Sequence, residues 1–129
     1  MKTKHNLFNN WVLKAESDLK SVEHELTFAD AVTEAICFHC QQAAEKYLKA
    51  YLVHLNIPFK KTHEIGELIT TCELKDSEIG KLRVDADILT DYAVAVRYPD
   101  DLYIPTITEA KEAYRLAKEL KVYVLNKTK

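Results

Sequence analysis

Glycine is almost missing from this chain: the 129 residues hold two, Gly66 and Gly80, beside three prolines, Pro58, Pro99 and Pro105. Two isolated glycines cannot build a loop that cradles phosphates, so Gly-rich nucleotide loops are excluded. So little punctuation also implies long regular elements and few connections. Cysteine is scarce and odd in number, with Cys37, Cys40 and Cys72. The polar start Met1-Lys2-Thr3-Lys4-His5 carries no export signal, so disulfides are not expected. Cys37 and Cys40 have redox or zinc spacing, but they fall inside a helical pattern. No second Cys or His pair follows to complete four zinc ligands. Both point near an apolar stripe and read as buried core thiols. No apolar run approaches the length that spans a bilayer, so no membrane contact is expected and the expected compartment is the cytoplasm. The net charge of -2 supplies no general positive field for nucleic acid. Local patches remain, at Lys60-Lys61 with His63, and at Lys46, Lys49 and Arg97 if folding gathers them.

What is present is helical periodicity. With 47% hydrophobic residues and 29% charged residues of both signs, the chain has the material for one compact domain over residues 1–129. Trp11, Ala15, Leu19, Val22 and Leu26 recur at steps of three and four, predicting a helix from Leu7 to Phe28. Lys14, Glu16, Asp18 and Lys20 fall outside that stripe. A second helix is predicted from Glu34 to Asn56, stopped by Ile57-Pro58. Thr62 is placed to cap a short helix from His63 to Cys72. A fourth starts at Asp76 or Ser77 and runs to Val96, with one apolar row through Ile79, Leu82, Ala86 and Leu89. Its second row, Val84, Ile88, Tyr92 and Ala95, predicts burial against a neighbour or another subunit. Thr106 and Glu109 have capping-box spacing and open a last helix with Ala110, Ala113, Leu116, Ala117, Leu120 and Val124 inward. No segment alternates as a strand does. The expected fold is all-α, an antiparallel up-and-down four-helix bundle with one short extra helix.

The second helix carries two faces. Ile36, Cys40, Ala44, Tyr47, Leu48, Tyr51 and Leu55 form one apolar stripe at about 100° per residue. Opposite it, His39, Gln42 and Lys46 stack along one line. Such a polar face is either solvated or a contact for a ligand or partner.

Three motifs resemble a known family. His39-Cys40-Gln41-Gln42-Ala43-Ala44-Glu45-Lys46, then His63-Glu64-Ile65 with Leu68, then Arg97-Tyr98-Pro99-Asp100 resemble, in order and spacing, the small prokaryotic HEPN domains (higher eukaryotes and prokaryotes nucleotide-binding). The resemblance runs from Trp11 to about Leu125. It implies a helical bundle that forms a homodimer, with a groove near the end of the fourth helix. It further implies a nucleotide or RNA ligand and a minimal nucleotidyltransferase as partner, in a toxin–antitoxin-like module. Many members are metal-independent ribonucleases with an Arg, four to six residues, then a His. Arg97 matches that arginine, but Leu102, Tyr103 and Ile104 stand where the histidine belongs. The proton-transferring half of the motif is vacant.

An arginine binds phosphate bidentately but does not shuttle protons, whereas a histidine does both near neutral pH. His39 substitutes only if its helix packs beside Arg97. The candidate binding residues are therefore Arg97, Tyr98, Asp100, Tyr103, His39, Gln42 and Lys46, with Arg97 and His39 as the pair for ribonuclease chemistry. The structural alternatives are plain: Arg97 satisfies helix-terminal carbonyls or pairs with Asp100, and the tyrosines cover a bundle end. Tyr103 also lies near where partner nucleotidyltransferases of this family modify a tyrosine, though at a different spacing from Arg97. His63 is expected to fix the short helix near its start. Asp85, Asp87 and Asp91 diverge around their helix and cannot converge on one metal, so no metal or cofactor is expected. A module that only binds protein, through the polar face and the spare row, is the remaining alternative.

Overall fold

The computed structural model describes residues 3–97 and 103–129, the side chains of 93–97 excepted. Five α-helices follow in order: α1 Lys4–Glu25, α2 Thr33–His54, α3 Ile65–Cys72, α4 Arg83–Arg97 and α5 Ile107–Lys127. A 3-10 segment, Ser77–Leu82, leads directly into α4. Among the described residues there is no strand. The expected helical bundle is what forms.

α2 is its centre, packing against α1, α3, α4 and α5. Its apolar stripe is sealed, with Ile36, Cys40, Ala44, Tyr47, Leu48 and Leu52 all fully buried. Ala15, Leu19 and Val22 from α1 meet it on one side, and Ala113, Leu116, Ala117 and Leu120 from α5 on another. The small residues let the helix axes approach closely, and each buried leucine or isoleucine adds roughly 1.5–3 kcal/mol of transfer free energy. Among the described residues, no buried side-chain polar atom lacks a hydrogen-bond partner.

The helix ends differ from expectation in instructive ways. α1 starts earlier because Thr3 Oγ1 accepts from the Asn6 N–H at 3.1 Å. It stops earlier too, where Leu26–Phe28 close a turn back onto Val22, His24 and Glu25. α2 ends at His54 rather than at proline: Asn56 takes φ 61°, and the Ile57 N–H returns to Leu52 O at 3.0 Å. α3 starts two residues late. Thr62 does not cap it; its hydroxyl accepts from the Glu64 N–H and donates to Glu67. The fourth helix does begin after Asp76, whose carboxylate accepts from the Glu78 N–H, but its first turns are 3-10. The capping box of α5 forms as expected, with Glu109 N–H to Thr106 Oγ1 at 3.1 Å and Thr106 N–H to Glu109 Oε1 at 2.9 Å.

The second row of α4 is only partly spare. Ile88 and Tyr92 pack against the core, and the Tyr92 hydroxyl donates to Glu112 on α5 at 3.2 Å. Val84 alone of the described row is broadly exposed, at 68%. The side chain of Ala95 lies outside the described residues.

Candidate functional site

α1 and α2 pack along their length, and this brings Asp18 beneath the polar line of α2. Asp18 was expected in water. It is 8% exposed instead and receives two side chains from α2, an imidazole and an ammonium. Nδ1 of His39 donates to Oδ1 at 2.9 Å, and Nζ of Lys46 donates to Oδ2 at 2.6 Å. His39 and Lys46 stand seven residues apart, two helical turns, so both reach one carboxylate. The carboxylate can only accept, so it fixes the neutral ring as the Nδ1–H tautomer and leaves Nε2 as its open nitrogen. The His39 side chain is 36% exposed and Lys46 21%. His39 also borders a small cavity of about 100 Å³ shared with Ser21 and Glu25.

Of the expected site residues, then, the fold brings His39 and Lys46 together. Gln42 lies between them but turns its amide to Gln41 Oε1 at 3.1 Å. Tyr103 is exposed, and its hydroxyl donates to Glu109 at the start of α5. That bond, with the charge of Glu109, pushes its phenol above the usual range. Arg97 ends α4 in backbone; its side chain, with Tyr98 and Asp100, lies outside the described residues. Of the conditional patch of Lys46, Lys49 and Arg97, Lys49 is buried against Glu45 at 3.0 Å and Lys46 is paired with Asp18.

A second buried carboxylate was missed in the sequence. Glu45 accepts from Lys49 on one oxygen and from Nδ1 of His63 on the other, each at 3.0 Å. Gln41 donates to the His63 carbonyl at 3.0 Å. His63 therefore fixes the segment before α3 to α2, and lies outside the short helix. The available signal was the i, i+4 spacing of Glu45 and Lys49 on the predicted second helix.

The cysteines are core thiols, as expected. All three are free and buried. Burial, helped by Glu109, pushes Cys37 up to about 11; burial, helped by Asp76 and Glu73, pushes Cys72 up to about 12. Burial raises Cys40 further still. Each shift disfavours the nucleophilic thiolate at neutral pH. Among the described residues no group of three His, Cys, Asp or Glu is placed to hold a metal, and no helix is long and apolar enough to cross a membrane. A larger open cavity, about 620 Å³, borders Lys60, Thr62, Glu67 and Arg83. Arg83 is already engaged there by Glu73 and by Gly66 O. That leaves the Asp18–His39–Lys46 trio as the most chemically equipped surface described.

The family model for the HEPN domain matches residues 8–127. The crystal structure of ST0689, an archaeal HEPN homologue, superposes with a TM-score of 0.75 at 27% sequence identity, covering 100% of both chains. No curated protein matches.

Proposed function

This chain belongs to the HEPN domain family, and from that membership and the surroundings of His39 we propose that it is a nucleotide- or RNA-binding module. It acts as a homodimer and works with a minimal nucleotidyltransferase partner in a toxin–antitoxin-like pair. The ligand's phosphate is held by His39 and Lys46 with Gln42 beside them, joined by Arg97, Tyr98, Asp100 and Tyr103 from the end of α4 and the connection to α5.

One observation carries the ligand part. An imidazole held at Nδ1 by a buried carboxylate, with its ring about a third exposed, stands on the central helix beside an ammonium. An imidazolium Nε2–H and a guanidinium are donors suited to phosphate oxygens. Titration of a fluorescent nucleotide, and of a short labelled RNA, into the purified protein tests it. Saturable binding weakened by Arg97→Ala and by His39→Ala is expected. Absence of binding, or indifference to both substitutions, removes the ligand.

The same contact favours a second reading, a metal-independent ribonuclease. A carboxylate-held imidazole with Nε2 open is equipped to take a proton from a 2′-hydroxyl, the step for which the family's usual histidine is missing here. Incubation with total RNA in chelator decides it: cleavage lost in both Arg97→Ala and His39→Ala supports the enzyme, and intact RNA leaves the binder.

A further inference from the structure

The cavity of about 620 Å³ beside α3 shares no described lining residue with the one at His39, and its polar groups are of another kind. Arg83 is held there from two sides. One guanidinium N–H donates to Gly66 O at 3.2 Å and another to Glu73. Gly80 leaves room for that carboxylate, since a Cβ on it would stand 2.5 Å from Glu73 Oε2. A guanidinium has five N–H groups, so the fixed side chain, still 38% exposed, keeps donors for a ligand.

α3 supplies the opposite polarity. Glu67, Thr70 and Thr71 stand three and four residues apart, share its outer face and line the cavity. The hydroxyl of Thr70 donates to Gly66 O at 3.1 Å and that of Thr71 to Glu67 O at 3.0 Å. Towards the cavity both hydroxyls therefore offer only lone pairs. The Glu67 carboxylate accepts from Thr62 at 3.1 Å. Glu64 lies against it too: hydrogen bonding to Glu67, and then its charge, push the Glu64 carboxyl up. A positive group placed there relieves that like-charge contact.

The surroundings hold no surplus of positive charge for a plain anion such as phosphate. Lys60 and Arg83 are balanced by Glu67 and Glu73. Glu64, and Asp87 beside Gly66, are offset by Lys61 and by Lys75, whose ammonium reaches Leu55 O at 2.7 Å. Phe59 and Leu68 add an apolar wall.

We propose that this cavity binds a zwitterion of the α-amino acid kind with an apolar side chain. Arg83 takes its carboxylate, Glu67 with Thr70 and Thr71 takes its ammonium, and Phe59 and Leu68 cover its side chain. An ammonium has three N–H donors and no acceptor. A carboxylate beside two hydroxyls that can only accept is its complement.

The test is titration of the isotope-labelled full chain with L-leucine, followed by magnetic resonance at the backbone amides of Gly66, Thr70 and Thr71. Saturable shifts there are expected, with a dissociation constant on the order of 1 mM, the scale of so small a ligand. N-acetyl-L-leucine lacks the ammonium and L-leucinamide the carboxylate. Each should bind about tenfold more weakly, the scale of one charge-assisted hydrogen bond. Glu67→Gln should weaken L-leucine but not N-acetyl-L-leucine, and Arg83→Gln should weaken L-leucine but not L-leucinamide.

Unmoved amides at concentrations well above that constant overturn the proposal. So does N-acetyl-L-leucine, or inorganic phosphate, binding at least as tightly as L-leucine. Should Arg83→Gln fail to fold, Glu67→Gln decides: equal weakening of L-leucine and its acetyl derivative refutes the ammonium contact. Binding of RNA or nucleotide at His39 is untouched by either outcome.

Discussion

Glu45 and Lys49, one turn apart on α2, form an ion pair at 3.0 Å with only 4% and 7% of their side chains exposed. Trp11 covers the pair from α1, its ring centroid 5.3 Å from Lys49 Nζ, and His63 covers it from the other side. Two charges taken out of water on a central helix hold each other in place. Separating them leaves one buried and unpaired.

Glu45→Ala should therefore cost about 3–5 kcal/mol, the usual penalty for orphaning one partner of a buried pair. The double variant Glu45→Leu with Lys49→Met should recover most of that loss. Urea unfolding monitored by circular dichroism measures both. Equal losses in the single and the double variant would mean that the pair itself is not what the charges need.

Asp76 ties three parts of the bundle together, accepting from Tyr51 on α2 and Tyr123 on α5 at 2.6 Å each. Burial pushes its carboxyl up, but the hydrogen bonds from Tyr123 and Tyr51 and the charge of Lys127 outweigh it and hold the net value below the ordinary one. A carboxyl lowered on folding stabilises fully above its unfolded value, near 3.9, and that contribution is lost as pH falls through the folded value. Asp76→Asn should thus lower stability by about 2 kcal/mol at pH 7, the scale of hydrogen bonds to a charged acceptor. The difference from wild type should shrink below about pH 4. Thermal unfolding at pH 7 and pH 3 checks both the size and the sign.

Each described tyrosine donates its hydroxyl to a carboxylate: Tyr47 to Glu16, Tyr51 and Tyr123 to Asp76, Tyr92 to Glu112, Tyr103 to Glu109 and Tyr114 to Glu23. Burial and then that contact push Tyr92 and Tyr114 up to about 12. A group raised on folding stabilises below its unfolded value, about 10 for tyrosine, and this is lost as pH climbs through the folded value. Phenolate absorbance should therefore develop late in the native protein and jump together with alkaline unfolding. A smooth titration centred at about pH 10 for all the tyrosines would contradict these contacts.

Ile88 and Val84, neighbours in the second row of α4, should behave differently. Ile88 packs on the core, so Ile88→Asp should cost about 3 kcal/mol or more by burying a charge beside apolar neighbours. Val84 is exposed, so Val84→Asp should change stability by less than about 0.5 kcal/mol. If α4 forms the dimer interface, gel filtration will show Val84→Asp weakening self-association without unfolding.

Much of the fold was legible because apolar periodicity and punctuation agree along the chain. Ala15, Leu19 and Val22, the stripe of α2 from Ile36 to Tyr51, and the inward row of α5 all bury as their spacing predicts, while Leu55 ends the stripe half-buried. The capping box at Thr106 and Glu109 was readable because both partners are local in sequence. Helix starts and stops were less so, since Asn56 ends α2 through a positive φ and Thr3 caps α1 through its hydroxyl, signals that Pro58 and the apolar pattern overshadow. The site was half legible. His39 and Lys46 stood out as one line on α2, but their partner Asp18 lies 21 and 28 residues away on α1, and only packing brings it under them. Periodicity alone assigned Asp18 to solvent. Glu45 and Lys49 were hidden for a related reason: a helix packed against four others buries polar residues too, provided they bond one another.

Ligand contact at His39 underlies the proposed function. Nuclear magnetic resonance of protein labelled at histidine Cε1, with signals assigned by single substitutions, follows all five histidines during titration with a short RNA. The expected result is a saturable shift of the His39 signal, absent in Asp18→Ala, while His5, His24 and His54 stay in place. Saturable binding that leaves His39 unmoved would contradict the site, and no binding at all would contradict the function.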